Sequence, residues 1–214
     1  MKCRILLTGC GWRSQIYRRA ISNLPEHFEL CGILMHSDVR AKEIESETGI
    51  PSTADMETAL SWNPDFTILC VPKPAMKDWV IRFMKRGIPV LSETPPGINI
   101  DELNELWNAK VRLSGKVQVA EQYFLQPYYS ALKNIIDSGI LGEISNVNIS
   151  AIHGYHCISI FRHLLGIRAF RALAGHQRVF GRHHHVRRTE KRIAARRVNG
   201  NRVTRRLEID ESAG

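Results

Sequence analysis

Cysteine is scarce in this 214-residue chain: Cys3, Cys10, Cys31, Cys70 and Cys157 are all it carries, and no two form a C-x-x-C pair. An odd number without that spacing argues against a disulfide framework and a cysteine-built zinc site, so no metal is expected. Cys3, Cys31 and Cys70 fall in apolar runs, where a free thiol acts as a small hydrophobe. No apolar run approaches the roughly 20 residues of a membrane span. Lys2 and Arg4 lead into a short apolar stretch rather than a signal-peptide core, which makes the cytoplasm the expected location.

An excess of charge of either sign is missing from most of the chain. The net charge is +9, yet residues 167–214 hold 13 of the 30 Lys+Arg and only 4 of the 21 Asp+Glu. The first 166 residues therefore carry 17 of each sign, with no basic excess that calls for a polyanion. The arginine-rich end includes His183-His184-His185, has only Phe170 and Phe180 as aromatics, and shows no sustained period of 2 or 3.6. It reads as a solvated, poorly ordered tail. A nucleic-acid arm is a rival reading that lacks the interleaved aromatics such arms use. The abrupt change of composition after Gly166 leads us to expect a shifted reading frame or a truncated gene.

What is present is alternation of strands and helices, the pattern of a parallel sheet covered on both faces. The apolar run Cys3–Thr8 enters Gly9-Cys10-Gly11 and then a helix from Ser14 to Ile21. Strand, glycine turn and helix hold a dinucleotide pyrophosphate at a helix N-terminus. The third glycine of G-x-G-x-x-G is replaced by Ser14, a small residue at the position that sets helix–strand packing. Further strands are expected at Phe28–Met35, Pro51–Thr53, Phe66–Val71, Ile88–Leu91 and Val117–Ala120. Helices are expected at Val39–Thr48, Met56–Trp62, Met76–Arg86 and Asp101–Leu113, the last with Leu103, Leu106 and Trp107 facing inward. A second unit starts near Gln122, with a helix from Pro127 to Ser138, a strand Ile144–Ile152 and a helix Tyr155–Leu165. No further strand is read after it.

The second strand ends in Met35-His36-Ser37-Asp38, with Arg40 close by. Ser37 and Arg40 lean towards the 2′-phosphate of NADP, Asp38 keeps NAD open, and Ser37-Asp38 also reads as a plain helix cap. After the fourth strand, Val71-Pro72 offers backbone to line a cofactor pocket. After the fifth comes Glu93-Thr94-Pro95, and after the sixth Ala120-Glu121-Gln122-Tyr123; Leu141-Gly142-Glu143-Ile144 follows. Together with the glycine loop (Gly9, Cys10, Gly11, Trp12, Arg13), this order of motifs over about residues 3–166 resembles the glucose–fructose oxidoreductase / inositol dehydrogenase (Gfo/Idh/MocA) family.

The resemblance implies a doubly wound parallel Rossmann sheet followed by an α/β substrate domain, here incomplete. The expected division is residues 1–121 for the NAD(P)-binding domain, 122–166 for a partial substrate domain and 167–214 for the tail. The implied activity is hydride transfer between a nicotinamide cofactor and a small molecule: a sugar, polyol or related carbonyl compound. Association of identical copies through the substrate-domain sheet is also implied; a membrane partner is not. The chain departs from the family in two places. The usual E-K-P lysine is Thr94, which cannot supply that charge or titrate near neutrality. In the D-x-x-x-H-x-x-D pattern, Ile152 and Ser159 stand at the two acids while His156 is retained. His156, whose ordinary pKa suits proton exchange, is the first candidate for the proton partner, with His153, Tyr123 and Thr94 beside it; Tyr155 is near in sequence. Glu93 is expected to position its neighbours. A non-catalytic dinucleotide-binding or sensor protein is the rival that Thr94 and Ile152 favour.

Overall fold

A computed structural model describes residues 1–150, 154–167 and 205–210. Contacts divide the chain into two units, Met1–Ala120 and Glu121–Gly214.

The first unit is a six-stranded parallel sheet in the order β3-β2-β1-β4-β5-β6. The strands are β1 (Cys3–Thr8), β2 (Phe28–Leu34), β3 (Ser52–Thr53), β4 (Phe66–Leu69), β5 (Val90–Ser92) and β6 (Val117–Val119). The helices between them are α1 (Trp12–Ser22), α2 (Asp38–Thr48), α3 (Met56–Ser61), α4 (Lys73–Met84) and α5 (Ile100–Arg112). The strand order reverses direction beside β1, which places the β1 and β4 carboxyl ends at the switch point where such sheets bind ligands.

Two apolar layers sandwich the sheet. One gathers Leu6, Leu34, Leu69, Met76, Val80 and Phe83; the other gathers Ile5, Leu7, Ile21, Ile33, Ile44 and Ile68. Successive strand residues point to opposite faces, so Ile5 and Leu7 of β1 serve one layer and Leu6 the other. That is why the sequence reads as an unbroken apolar run. Two polar residues in the sheet are satisfied internally: the Thr8 and Thr67 hydroxyls lie 3.0 Å apart, and Thr67 donates to the Leu6 carbonyl at 3.0 Å.

Three expectations are corrected here. On α5, Leu106 and Ala109 are the buried residues, while Leu103 and Trp107 are exposed. The small Ala109 allows close approach, so the buried stripe follows size as well as hydropathy. Of the three strand cysteines, only Cys31 is buried; Cys3 and Cys70 are half-buried, and Cys70 lies just beyond β4. Burial, with the Glu93 carboxylate adding to it, pushes the Cys70 thiol up to about 12.

The second unit contains a short 3-10 turn (Tyr123–Leu125), α6 (Pro127–Asp137), β7 (Ile144–Ser150) and α7 (Gly154–Leu164). Tyr129, Val147, Ile160 and Leu164 form its core. The third correction concerns the tail. Arg205–Asp210 forms a strand, β8, parallel to β7, with Val147 opposite Leu207 and Ile149 opposite Ile209. The arginine-rich composition around it hides a local alternation at Leu207 and Ile209.

Candidate functional site

The glycine turn of the first unit is built by close backbone approach. Gly9 has φ +90°, and a Cβ on it would lie 2.5 Å from the Cys70 carbonyl oxygen. No side chain fits there, because β1 and the segment after β4 run side by side at this point. The Gly9 N–H donates to the Leu34 carbonyl at 2.9 Å and the Cys70 N–H to the Thr8 carbonyl at 2.8 Å, tying the turn to both neighbouring strands.

Gly11 is different. Its backbone is ordinary extended chain, and a Cβ there would meet nothing within 4 Å. It precedes α1 and brings no side chain to cap the first-turn N–H groups, and that turn has no acidic residue. Positive N-terminal dipole, uncapped donors and open space suit a phosphate, so the residues present fit a dinucleotide pyrophosphate. Ser14, in the place of the third glycine, is fully buried and donates its hydroxyl to the Gly11 carbonyl at 2.5 Å, which closes the turn.

Around this turn, Trp12 is exposed and the Arg13 guanidinium lies 4.5 Å from its ring centroid. Arg13 Nε also reaches Glu93 Oε1 at 3.4 Å. Glu93 is buried and gathers three donors: the Tyr17 hydroxyl at 2.6 Å, Arg13, and the Thr94 N–H to Oε2 at 3.2 Å. Burial, and then the Glu93 carboxylate, push the Tyr17 hydroxyl above its ordinary range, so it stays a donor. Glu93 thus joins α1 to the loop after β5, in which the Thr94–Pro95 peptide bond is cis. Sequence reasoning singled out Glu93 but missed Tyr17. Its signal was the spacing Ser14, Tyr17, Ile21, which puts all three on the inward face of α1.

At the end of β2, the Ser37 hydroxyl accepts the Arg40 N–H at 3.4 Å as the N-cap of α2, and the Arg40 guanidinium is paired with Glu43. Asp38 is exposed in the first turn. Val71 is half-buried, and Pro72 is the N-cap of α4.

The second unit holds a separate cluster. His156, on α7, is buried and its Nδ1 lies 2.6 Å from Glu121 Oε2. Glu121 Oε1 accepts the Tyr123 N–H at 3.1 Å. The Tyr123 ring stacks on the imidazole with centroids 4.1 Å apart, and the Tyr155 ring leans on it at 4.3 Å. The structure thus brings together Tyr123 and His156 among the expected residues. It adds Glu121, which the sequence showed only as part of a motif. His153 and Ile152 lie outside the described residues.

Among the described residues, no three His, Cys, Asp or Glu gather as a metal site, and no helix is long and apolar enough to cross a membrane.

Residues 3–121 match the model of an oxidoreductase family with an NAD-binding Rossmann fold, the Gfo/Idh/MocA proteins. The Bacillus subtilis (strain 168) protein YteT, named as an oxidoreductase, is 24% identical over 165 residues, covering 72% of this chain and 39% of its own length. The solved scyllo-inositol dehydrogenase from Lactobacillus casei, with bound NAD(H) and scyllo-inositol, superimposes with a TM-score of 0.65 at 18% identity, over 78% of this chain and 57% of that one. The WlbA dehydrogenase from Bordetella pertussis, in complex with NADH and UDP-GlcNAcA, gives a TM-score of 0.61 at 21% identity, over 74% and 51%. The chain spans less than half the length of the curated relatives it matches.

Proposed function

The chain belongs to the Gfo/Idh/MocA oxidoreductase family with its NAD-binding Rossmann fold, and from that premise we propose that it transfers a hydride between a nicotinamide dinucleotide and a sugar, polyol or related carbonyl compound. The observation that carries this reading is the glycine turn: Gly9 pressed on the Cys70 carbonyl, with open space at Gly11 before an uncapped helix. The bound nicotinamide would accept or supply the hydride.

The roles of the chain's own residues follow from their chemistry. Gly9, Cys10, Gly11 and Trp12 present main chain to the pyrophosphate, and Arg13 adds charge. Val71 and Pro72 line the pocket with backbone. Glu93 holds Tyr17, Arg13 and Thr94 in place, and Thr94 offers a hydroxyl to the substrate. His156, with Tyr123 on its face, exchanges the proton at the substrate hydroxyl oxygen.

Ser37, Asp38 and Arg40 read the adenosine ribose. Two groups that suit NADP are engaged in capping α2 and in the pair with Glu43, while Asp38 is exposed. These contacts support reading the chain as favouring NAD, against the lean towards NADP that Ser37 and Arg40 suggest in the sequence.

The test is a panel of sugars and polyols with NAD and NADP, followed by nicotinamide absorbance. Turnover that falls about 10²- to 10⁴-fold in His156→Gln, with cofactor affinity kept, is the expected result. Cofactor binding without turnover on any substrate would instead support a dinucleotide-binding protein that does no chemistry, the reading favoured by Thr94.

A further inference from the structure

The family pattern places an acid on either side of the histidine in sequence, but here those positions are Ile152 and Ser159. The structure supplies a carboxylate to His156 from elsewhere: Glu121, 35 residues earlier in the chain, with Oε2 at 2.6 Å from Nδ1. The pair is sheltered. The His156 side chain is 5% exposed and that of Glu121 17%. Glu121 is itself fixed, because its other oxygen accepts the Tyr123 N–H and the Tyr123 ring lies against the imidazole.

An ionised carboxylate only accepts hydrogen bonds, so with Glu121 ionised Nδ1 is the donor. We propose that Glu121 is the positioning residue for His156: it holds the neutral ring's proton on Nδ1 and thereby makes Nε2 the nitrogen that exchanges a proton with the substrate hydroxyl. A carboxylate on the far nitrogen fixes both tautomer and ring plane, and stabilises the imidazolium when Nε2 takes the proton. In the oxidising direction the hydroxyl proton would pass to Nε2 and the hydride to the nicotinamide when that group is bound; reduction would run both in reverse. The part concerning substrate rests on the function proposed above; the tautomer does not.

The experiment is nitrogen-15 spectroscopy of the imidazoles in the full chain, above the pH at which the ring is charged, with His156 assigned by its loss in His156→Gln. The wild-type ring is expected to carry its proton on Nδ1. Glu121→Gln keeps an acceptor oxygen and retains that form. Glu121→Leu loses it, and the proton redistributes to Nε2, with the melting temperature recorded beside each spectrum. A neutral wild-type ring protonated on Nε2 overturns the proposal without any variant, as does a folded Glu121→Leu chain whose ring is unchanged. A separate NAD titration keeps the two readings apart. Absent cofactor binding would defeat the hydride-transfer function, while the spectrum would still decide the role of Glu121 on the ring. Where turnover is found, Glu121→Gln lowers kcat and leaves KM in place; equal loss in both would mark a purely structural residue.

Discussion

Glu93 shows how a buried carboxylate can be read as architecture. Three donors converge on it: Tyr17 and Arg13 from α1, the latter also against the Trp12 ring, and the Thr94 N–H from its own loop. The Tyr17 hydroxyl is the shortest of these contacts at 2.6 Å. Removing it leaves a buried acceptor short of a donor, which costs about 1–3 kcal/mol. Tyr17→Phe is therefore expected to lower the urea midpoint of the chain by that free energy divided by the denaturant slope, with little change in the slope itself. An unchanged midpoint would mean that Arg13 and Thr94 satisfy the carboxylate without it. The partner could not be read from the sequence, since Tyr17 and Glu93 are 76 positions apart and only the sheet order brings α1 over β5.

Helix α5 makes the corresponding point for an element. Its start was legible in kind. Asn99 caps it by accepting the Glu102 N–H at 2.9 Å, which satisfies one helix-end donor, and Glu102 reaches back past the cap to the Ile98 N–H at 2.8 Å, which fixes the chain entering the helix. Its rotation was not legible. Leu103 and Trp107 are large and apolar and draw the expected stripe to themselves, but the face that meets the core carries Leu106 and Ala109. The Lys110 ammonium sits 5.4 Å from the Trp107 ring centroid on the outer side, and Glu105 pairs with Lys77 of α4 at 2.6 Å. Truncating Leu106 to Ala should cost roughly 2–5 kcal/mol through the cavity it leaves. Trp107→Ala should change stability by less than about 0.5 kcal/mol. Denaturant unfolding of the two variants separates them; the reverse order would restore the rotation expected from hydropathy. The central strands β1, β2, β4 and β5 needed no such correction in kind. They bury residues against both apolar layers, so the apolar runs that mark them follow burial directly, and only their ends shift by a residue or two; β3 and β6, at the two edges, bury none of their residues fully.

For the whole molecule, the two units differ in how much the sequence could say. Residues 1–120 repeat one unit, strand then helix, and local pattern is enough to order them. In residues 121–214 the elements β7 and β8 are far apart in the chain, and the strand at Arg205–Asp210 sits among arginines that dominate any average of composition. The Glu121–His156 pair was hidden because its members are 35 positions apart: both stood in sequence motifs, but the contact between them did not show. The glycine turn is the opposite case. Gly9, Gly11 and Ser14 act within six residues, so spacing alone reveals what the turn requires, and the structure adds why Gly9 accepts no Cβ whereas Gly11 has room for one. That contrast yields the most direct test of the central claim. Calorimetric titration of the full chain with NADH and NADPH is paired with Gly11→Asp, a change with space for its side chain in the fold but with a negative charge where phosphate would sit. Binding by the native chain, tighter for NADH, and its loss in a Gly11→Asp chain that melts at the native temperature is the predicted result. Absence of binding by the folded native chain, or binding that Gly11→Asp leaves intact, would contradict the account.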